Sequence, residues 1–540
     1  MDPADKLLNY YKFFWKKGDG WNPIHSRIHD AFKANMKYKG FWTFYDPAVR
    51  VPPLWGSGGN VDYLSHWTYT YPDPINIMAN TSEMFAMQKG NPTQGVMNMT
   101  QIICYRSQTA PVGRKVENAP AWTSKFPKAP YISLSPDMMQ EALWAQISKK
   151  VSGIMFHGYN SLFTDPASLG DTGYQCTNPH TKEALKKILH NVVRPLGPVL
   201  KRVEERPFRI GVLESFASHV YAGRGSMGWG TWIFDLNVAL HWANLHYGVI
   251  YEEEVLKGAL DSLSVLIMPH CDVLDRDVYE KILAFQKRGG ILVGDEFLTP
   301  ALLPDLSIRS VRRNRNKPQE TKKALQDVVL RLRKEIAPYC NPYVESSNAD
   351  LVTHVRRDQK ADYLFIINDK RTFGNYFGPY GMVAEKGVPN KGVIRIRRQD
   401  TGAVYDLVNS RMVPFRKKGA FTEIPVNFST NDGRLYLILP QQVKSVTGSL
   451  SSGKVARGGS VTLKAALAGT HSPIRSLHPV QLTLSDPDGR VTDDSTYGAM
   501  EKGVFTRSIT VPLDGKKGVW RVTLRELASG KSKTFTFLVY

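Results

Sequence analysis

The chain has 540 residues, of which 42% are hydrophobic and 22% charged, and its formal net charge is +21. At about 150 residues per domain this length predicts roughly three to four domains, and the composition excludes a disordered chain. Four scattered cysteines without a C-x-x-C pair exclude a disulfide-stapled scaffold and give no support for a structural zinc site.

The amino-terminal residues are polar and lead into the short apolar run Leu7–Tyr11. This run is too short and too interrupted for the core of a signal peptide. No stretch approaches the ~18 consecutive apolar residues of a membrane helix. We therefore expect no membrane partner and leave the compartment open, since a secreted or periplasmic location would require a start upstream of Met1.

Residues 1–200 alternate between helical and strand-like segments. A helix is predicted from Asn22 to Met36, and a second helix has Ser135 as its N-cap and Pro136 in its first turn. The predicted strands are Gly40–Tyr45, Val61–Tyr71, Asn98–Tyr105 and Gly153–Gly158. Alternation of this kind predicts parallel βα units.

A second α/β block follows between residues 208 and 300. Its predicted strands are Phe208–Leu213, Leu263–Pro269 and Ile291–Glu296, and its predicted amphipathic helices are Thr231–Leu245 and Asp275–Arg288. This pattern is typical of a flavodoxin-like open sheet.

Two patterns in this block are weak signals of chemistry. The segment Gly223–Gly228 matches G-x-G-x-x-G, but it lies in a longer loop than a dinucleotide site requires. Cys271 lies between His270 and Asp272, whereas a nucleophile elbow needs small flanking residues. We expect Cys271 to be a buried small hydrophobic residue.

The densest positive charge lies between Arg309 and Lys334. The segment contains ten basic residues, only two acidic residues, Glu320 and Asp327, and no aromatic residue. Single-strand binding proteins use such aromatics for base stacking. The segment therefore predicts a solvated loop followed by a surface helix, Thr321–Ile336, and no nucleic-acid partner.

Beyond residue 340 the helical period disappears. Short alternating strands such as Ala361–Ile367 and Arg434–Leu439 predict a β-sandwich, and a Gly/Ser-rich seam, Gly448–Gly453, separates an immunoglobulin-like sandwich with a hairpin turn at Asp486–Gly489. The predicted fold class is α/β plus all-β. The predicted domains are residues 1–200, 201–340, 341–445 and 446–540.

The order of these domains resembles a known enzyme class. The segment Gln140–Gly158, which reads QEALWAQISKKVSGIMFHG, resembles the last helix and eighth strand of a clan A glycoside hydrolase barrel. Family 42 β-galactosidases combine such a barrel with a glutamine-amidotransferase-like domain and a small β domain. The resemblance implies that residues 1–200 are strands five to eight of a (β/α)8 barrel, and that residues 201–340 form a non-catalytic domain that builds homo-oligomers.

The resemblance also implies where catalytic carboxylates belong. The acid/base Glu at strand four would lie upstream of Met1, and strand seven, Met99–Arg106, contains no carboxylate where the nucleophile is expected. Hydrolysis by a carboxyl pair requires two such groups. The catalytic residues therefore stay unassigned, and the chain is expected to lack the acid/base half of the barrel.

Residues at the strand ends and in the following loops can still form a carbohydrate-binding site. Aromatic faces stack on sugar rings, and charged groups bind hydroxyls or acidic groups. The candidate substrate-binding residues are Asp46, Arg50, Trp55, His66, Trp67, Tyr69, Arg106 and His157. For each aromatic residue the alternative is packing in the core. For Asp46 the alternative is a turn or an ion pair with Arg50. Glu141, on the predicted helix after Pro136, is expected to lie on the surface.

The sequence thus predicts a glycoside hydrolase-related protein that acts on an oligo- or polysaccharide, with no cofactor and no metal. The excess of positive charge favours an anionic glycan. A non-catalytic carbohydrate-binding or assembly protein is the alternative.

Overall fold

Parallel strands in the first 160 residues lie side by side in chain order. Phe44 pairs with Tyr63, and further along the second strand Trp67 pairs with Met99, which pairs in turn with Met155. The strand segments are Phe44–Tyr45, Tyr63–Leu64, Trp67–Thr68, Gly95–Val96, Met99–Gln101 and Met155–His157. The computed structural model describes residues 1–17, 21–38, 40–46, 52–68, 74–105, 131–162, 176–222, 231–314, 317–378 and 381–540.

The helix Pro136–Ile147 begins where its capping residues predict. Ser135 Oγ accepts a hydrogen bond from the backbone N–H of Met138 at 3.3 Å, and Pro136 occupies the first turn. A short antiparallel pair, Ile103–Tyr105 with Tyr131–Ser133, precedes this helix. The helices are Lys6–Lys12, Trp21–Asn35, Asn76–Gln88, Pro136–Ile147, Pro179–Ile188 and Arg194–Leu200.

The helix Asn76–Gln88 is absent from the sequence prediction. Nearly all of its side chains are buried, including the polar Asn80, Thr81 and Glu83. A helix covered on all sides has no polar face, so its sequence lacks the 3.6-residue alternation that reveals a surface helix.

The helix Trp21–Asn35 is found where it was predicted, but its apolar stripe faces outward. Ile24, Ile28 and Phe32 are each about half exposed, at 53%, 49% and 51%. Apolar residues at this spacing ordinarily face a core. This stripe is an apolar surface without a covering element among the described residues.

The second α/β block contains a five-stranded parallel sheet. The strand Ile210–Glu214 lies between Tyr247–Tyr251 and Val265–Met268, followed by Ile291–Gly294 and Leu306–Ser307. This order, 2-1-3-4-5, is that of a flavodoxin-like sheet. Its helices are Phe216–Ala222, Trp232–Trp242, Glu252–Leu256, Arg276–Lys287 and Pro318–Ile336.

The helix Trp232–Trp242 was predicted to be amphipathic, and this prediction is wrong. All eleven of its residues are buried. It packs against the helices Pro318–Ile336 and Asn76–Gln88 and against the strand Leu351–Asp358, so no face meets solvent. Neighbours from three distant parts of the chain cannot be read from local periodicity.

An antiparallel sheet pair follows, joined by a core that includes Leu364, Ile366, Ile394 and Ile424. The six-stranded sheet contains, in order, Arg411–Met412, Ala403–Asp406, Gly433–Leu439, Ala361–Asn368, Leu351–Asp358 and Glu204–Glu205. The four-stranded sheet contains Val344–Ser346, Asn390–Ile396, Phe421–Phe428 and Arg416–Lys418, and a hairpin joins Arg371–Gly378 to Gly381–Gly387.

The carboxyl-terminal sheets have three and five strands. The first contains Val443–Leu450, Ser460–Gly469 and Val504–Thr510, and the second Lys454–Val455, Ser532–Val539, Gly518–Glu526, His478–Ser485 and Thr496–Met500. The predicted seam at Gly448–Gly453 is not a linker, because Gly448 pairs with Ala465 inside the first sheet. The turn at Asp486–Gly489 is confirmed: Gly489 has φ +80° and donates to Asp486 O at 3.0 Å.

Candidate functional site

The carboxyl ends of the four parallel strands form one edge, and several predicted site residues lie there. Asp46 directly follows the strand Phe44–Tyr45, while Trp67 and His157 lie in the final residues of their own strands. His66 immediately precedes Trp67. The chain therefore brings Asp46, His66, Trp67 and His157 to the edge where parallel sheets place ligand chemistry.

Trp67 and His157 form the most distinctive pair at this edge. Their ring centroids are 6.1 Å apart with an angle of 31° between the planes, and the Trp67 side chain is 43% exposed. Burial lowers the pKa of His157, so its imidazole is neutral at pH 7. An exposed indole beside a neutral imidazole offers both a flat apolar face and a hydrogen-bonding group.

A buried polar network holds the strands beneath Trp67. Asn98 Oδ1 accepts from Thr68 Oγ1 at 3.0 Å, and Asn98 Nδ2 donates to Thr81 Oγ1 at 2.8 Å. Gln146 Nε2 donates to Asn98 O at 2.6 Å, while its Oε1 accepts from Thr100 Oγ1. All of these side chains are buried. The polar residues within otherwise apolar strands were the sequence signal for this network.

Trp55 lies at the opposite, amino edge. The backbone N–H of Gly56 donates to Met87 O at 2.8 Å, at the end of the helix that leads into the strand starting at Gly95. Lys257 Nζ lies 3.9 Å from the centroid of a Trp55 ring. The structure therefore does not bring Trp55 together with Trp67 and His157, because the loop has already returned to the start of the next strand.

The remaining predicted site residues, Arg50, Tyr69 and Arg106, lie outside the described residues, as does the segment Gly223–Gly228. Among the described residues that directly follow the four strands, Asp46 is the one carboxylate. The described part of the chain contains no group of three or more His, Cys, Asp or Glu side chains arranged to hold a metal ion.

Glu141 was predicted to lie on the surface, and this prediction is wrong. Its side chain is fully buried and accepts hydrogen bonds from Arg371, at the start of the strand Arg371–Gly378, and from Asn431, in the turn before the strand Gly433–Leu439. Burial raises the pKa of Glu141 well above its usual value, against the opposing effect of Arg371. The helix Pro136–Ile147 is thus covered by residues 230 and 290 positions away in sequence.

The same network continues to Asp369, which we call its centre. Asp369 Oδ2 accepts from Lys322 Nζ at 2.8 Å and from Trp242 Nε1 at 2.7 Å, and Arg371 donates to its Oδ1. Burial acts to raise the pKa of Asp369, but Lys322 and Arg371 outweigh it and lower that pKa. The network joins helices of both α/β blocks to the antiparallel sheets.

The basic segment Arg309–Lys334 is less solvated than predicted. Arg313 Nη2 lies 2.7 Å from Asp235 Oδ1, and both side chains are more than nine-tenths buried. Arg333 also pairs with Glu345, at 3.5 Å. The helix Pro318–Ile336 confirms the predicted surface helix, but acidic partners elsewhere in the chain compensate several of its charges.

Cys271 fits the structural role predicted for it. Its side chain is 1% exposed, and its Sγ lies 3.6 Å from Pro269 O. Burial raises the pKa of the Cys271 thiol well above its usual value, with Asp295 acting in the same direction. A buried thiol with a raised pKa is a poor nucleophile.

No protein-family model matches the chain. No curated protein matches it either. No described helix is long and apolar enough to cross a membrane.

Solved structures, in contrast, resemble it. The α-L-fucosidase isoenzyme 2 of Paenibacillus thiaminolyticus superposes with a TM-score of 0.52 at 12% identity, covering 81% of this chain and 73% of the fucosidase. A β-galactosidase of Bacillus circulans sp. alkalophilus gives 0.48 at 11% identity, covering 76% of this chain and 65% of the enzyme. A GH42 β-galactosidase of G. stearothermophilus gives a TM-score of 0.40 at 11% identity, covering 70% of this chain and 59% of that enzyme.

At such low identity these likenesses describe the fold alone. The chain spans less than two thirds of the two β-galactosidases. It has a glycoside hydrolase-like fold.

Proposed function

We propose that the chain is a glycoside hydrolase-related protein that binds an oligo- or polysaccharide at the edge formed by Asp46, His66, Trp67 and His157. The observation that carries this proposal is the exposed Trp67 indole beside the neutral His157 at the carboxyl ends of parallel strands. A flat apolar face flanked by hydrogen-bonding groups matches the two chemical faces of a sugar ring.

We further propose that residues 1–200 form strands five to eight of a (β/α)8 barrel. The parallel strands follow one another in chain order, which supports this assignment. Within the described residues, the strand Phe44–Tyr45 pairs on one side only, and so does Met155–His157. A complementary half supplied by another polypeptide segment would pair both outer strands and close the barrel.

The exposed stripe Ile24, Ile28 and Phe32 supports the same assignment. It lies on the helix that precedes the outer strand Phe44–Tyr45 in the chain. Covering apolar side chains stabilises a complex by about 25 cal/mol per Å² of apolar surface removed from water. A complementary half would therefore gain free energy from this stripe as well as from the strands.

Catalysis would then depend on the completed barrel. Carboxyl-pair hydrolysis needs two carboxyl groups, about 5–5.5 Å apart for retention or about 6.5–9.5 Å apart for inversion. Asp46 is the one carboxylate among the described residues directly after the strands. We therefore assign binding to this chain and the full acid/base chemistry to the complete assembly.

The purified chain is expected not to hydrolyse aryl β-glycosides, because Asp46 is the one carboxylate among the described residues directly after the strands and hydrolysis of this kind needs a pair. Release of the chromogenic aryl alcohol measures the rate, and Asp46→Ala and His66→Ala variants serve as background controls. Turnover by the unaltered chain above both variants would contradict the proposed division between binding and catalysis.

The second candidate function is a non-catalytic carbohydrate-binding or assembly protein. The two pairs of antiparallel sheets favour it, since they make up the described chain from about residue 340 onward. The net charge of +21 favours anionic glycans for either function. Glycan-array binding that persists without turnover after a complementary barrel half is added would select this candidate.

Homo-oligomer formation through residues 201–340 stays a prediction from the sequence resemblance.

A further inference from the structure

A cavity of about 120 Å³ lies where three parts of the chain meet, far from the Trp67 edge. Lys149, in the turn before the strand Met155–His157, lines it, together with His246 before the flavodoxin-like strand Tyr247–Tyr251 and His354 from the antiparallel sheet. An outer groove of about 480 Å³ is lined by the same three residues. Both lie at the amino ends of the parallel strands, opposite to Trp67.

Lys149 is the unusual residue of this cavity. The residue is only 7% exposed, and its ammonium makes no hydrogen bond and no ion pair with a described residue. An ammonium group has three donors, and here the cavity and the outer groove lie beside it. Burial lowers the pKa of Lys149 to about 8, so most of it is still charged at pH 7.

The nearby carboxylate is already engaged. Glu205 Oε2 lies 2.5 Å from His354 Nε2, and Glu205 Oε1 accepts from the backbone N–H of Lys150 at 3.1 Å. Glu205 still acts on Lys149 through space, but it makes no hydrogen bond to the ammonium. The donors of Lys149 therefore remain directed at the cavity rather than at a protein acceptor.

A second cation faces the same space. The guanidinium of Arg206 stacks 3.5 Å from the centroid of the Tyr343 ring, and its buried Nη1 makes no hydrogen bond with a described residue, since Asp362 Oδ1 lies 3.7 Å away. His246 Nε2 lies 2.7 Å from Arg206 O, a contact in which the imidazole is the donor. Burial lowers the pKa of His246, which keeps that ring neutral at pH 7.

We propose that this cavity binds a tetrahedral oxyanion of the phosphate or sulfate class, held by Lys149 and Arg206. Charge-assisted hydrogen bonds from Lys149 and from Arg206, whose Nη1 lies 3.7 Å from the nearest Asp362 oxygen, would hold such an anion. The cavity is much larger than a single water requires. The oxyanion is either a free inorganic ion or the acidic group of a sugar ester that enters through the outer groove.

The test is isothermal titration of inorganic phosphate and sulfate into the full chain at constant ionic strength. We expect saturable binding with one site per chain, at least tenfold weaker in Lys149→Met and within about twofold of wild type in Lys201→Met. Lys201 is an exposed lysine that lines the outer groove and serves as the matched control. Absence of binding, or equal binding by wild type and Lys149→Met, would overturn the proposal.

Parallel titrations with glucose 6-phosphate and glucose 6-sulfate separate the two sources of the oxyanion. Tighter binding of either ester than of its inorganic ion assigns the site to an esterified sugar, and weaker binding assigns it to the free ion.

A second measurement needs no variant. Reductive methylation of wild type, read by mass spectrometry, should label Lys149 more slowly in the presence of phosphate while labelling of Lys201 stays unchanged. Equal labelling of Lys149 with and without phosphate would count against the site even where Lys149→Met fails to fold.

Discussion

Replacing Asp369 by alanine is expected to lower the free energy of unfolding of the chain by about 3–5 kcal/mol. Asp369 is almost fully buried and accepts hydrogen bonds from Lys322, Arg371 and Trp242. Removal of this carboxylate leaves two cations and one indole N–H facing a buried gap. The cost is large because buried charges that lose a partner cannot recover their hydration.

Two variants make this prediction specific. Asp327→Ala removes the partner of Lys323 on the same helix, where both side chains are mostly exposed, and should change stability by no more than about 1 kcal/mol. Asp369→Asn keeps the shape of the side chain and one acceptor oxygen. Its loss of unfolding free energy should therefore lie between those of Asp369→Ala and Asp327→Ala. Urea unfolding of all three variants provides the comparison. Equal losses for Asp369→Ala and Asp327→Ala would show that the network does not hold the parts of the chain together.

Replacing Trp67 by alanine is expected to weaken carbohydrate binding at least tenfold. Loss of an exposed indole removes the flat face on which a sugar ring stacks, and tenfold corresponds to about 1.4 kcal/mol. The measurement is a titration of the chain with the glycan that binds best on an array. The fold should be unaffected, because the Trp67 side chain already lies partly in solvent.

The chain provides a matched control in Trp42. This tryptophan is exposed to a similar extent, 45% against 43%, but lies before the strand Phe44–Tyr45, where its ring contacts Phe44 and Tyr63. Trp42→Ala should leave glycan affinity within about twofold of wild type. A larger loss of glycan affinity in Trp42→Ala than in Trp67→Ala would contradict binding at the carboxyl edge of the strands.

Much of the fold could be predicted because local signals were strong. Ser135 and Pro136 marked a helix start, and Asp486–Gly489 marked a hairpin turn, since capping and turn preferences depend on a few neighbouring residues. Three of the five flavodoxin-like strands were recognisable as short apolar runs between helices, whereas Tyr247–Tyr251 and Leu306–Ser307 were not predicted. These signals need no knowledge of distant parts of the chain.

What the sequence did not reveal depends on distant contacts. Glu141 looked like a surface residue because a helical carboxylate usually is one, yet Arg371 and Asn431 cover it. The helix Asn76–Gln88 escaped prediction because burial on every side removed its polar face. Trp55 shares its residue type with Trp67, but only the course of the loop decides which edge of the sheet it reaches.

The central claim is that carbohydrate binds at the carboxyl edge of the parallel strands. Hydrogen–deuterium exchange of the full chain, with and without the best array glycan, tests it most directly. We expect slower exchange in residues 63–68 and 155–157, which contain Trp67 and His157. Slower exchange confined to residues 443–540, or no glycan retained at all, would contradict the claim.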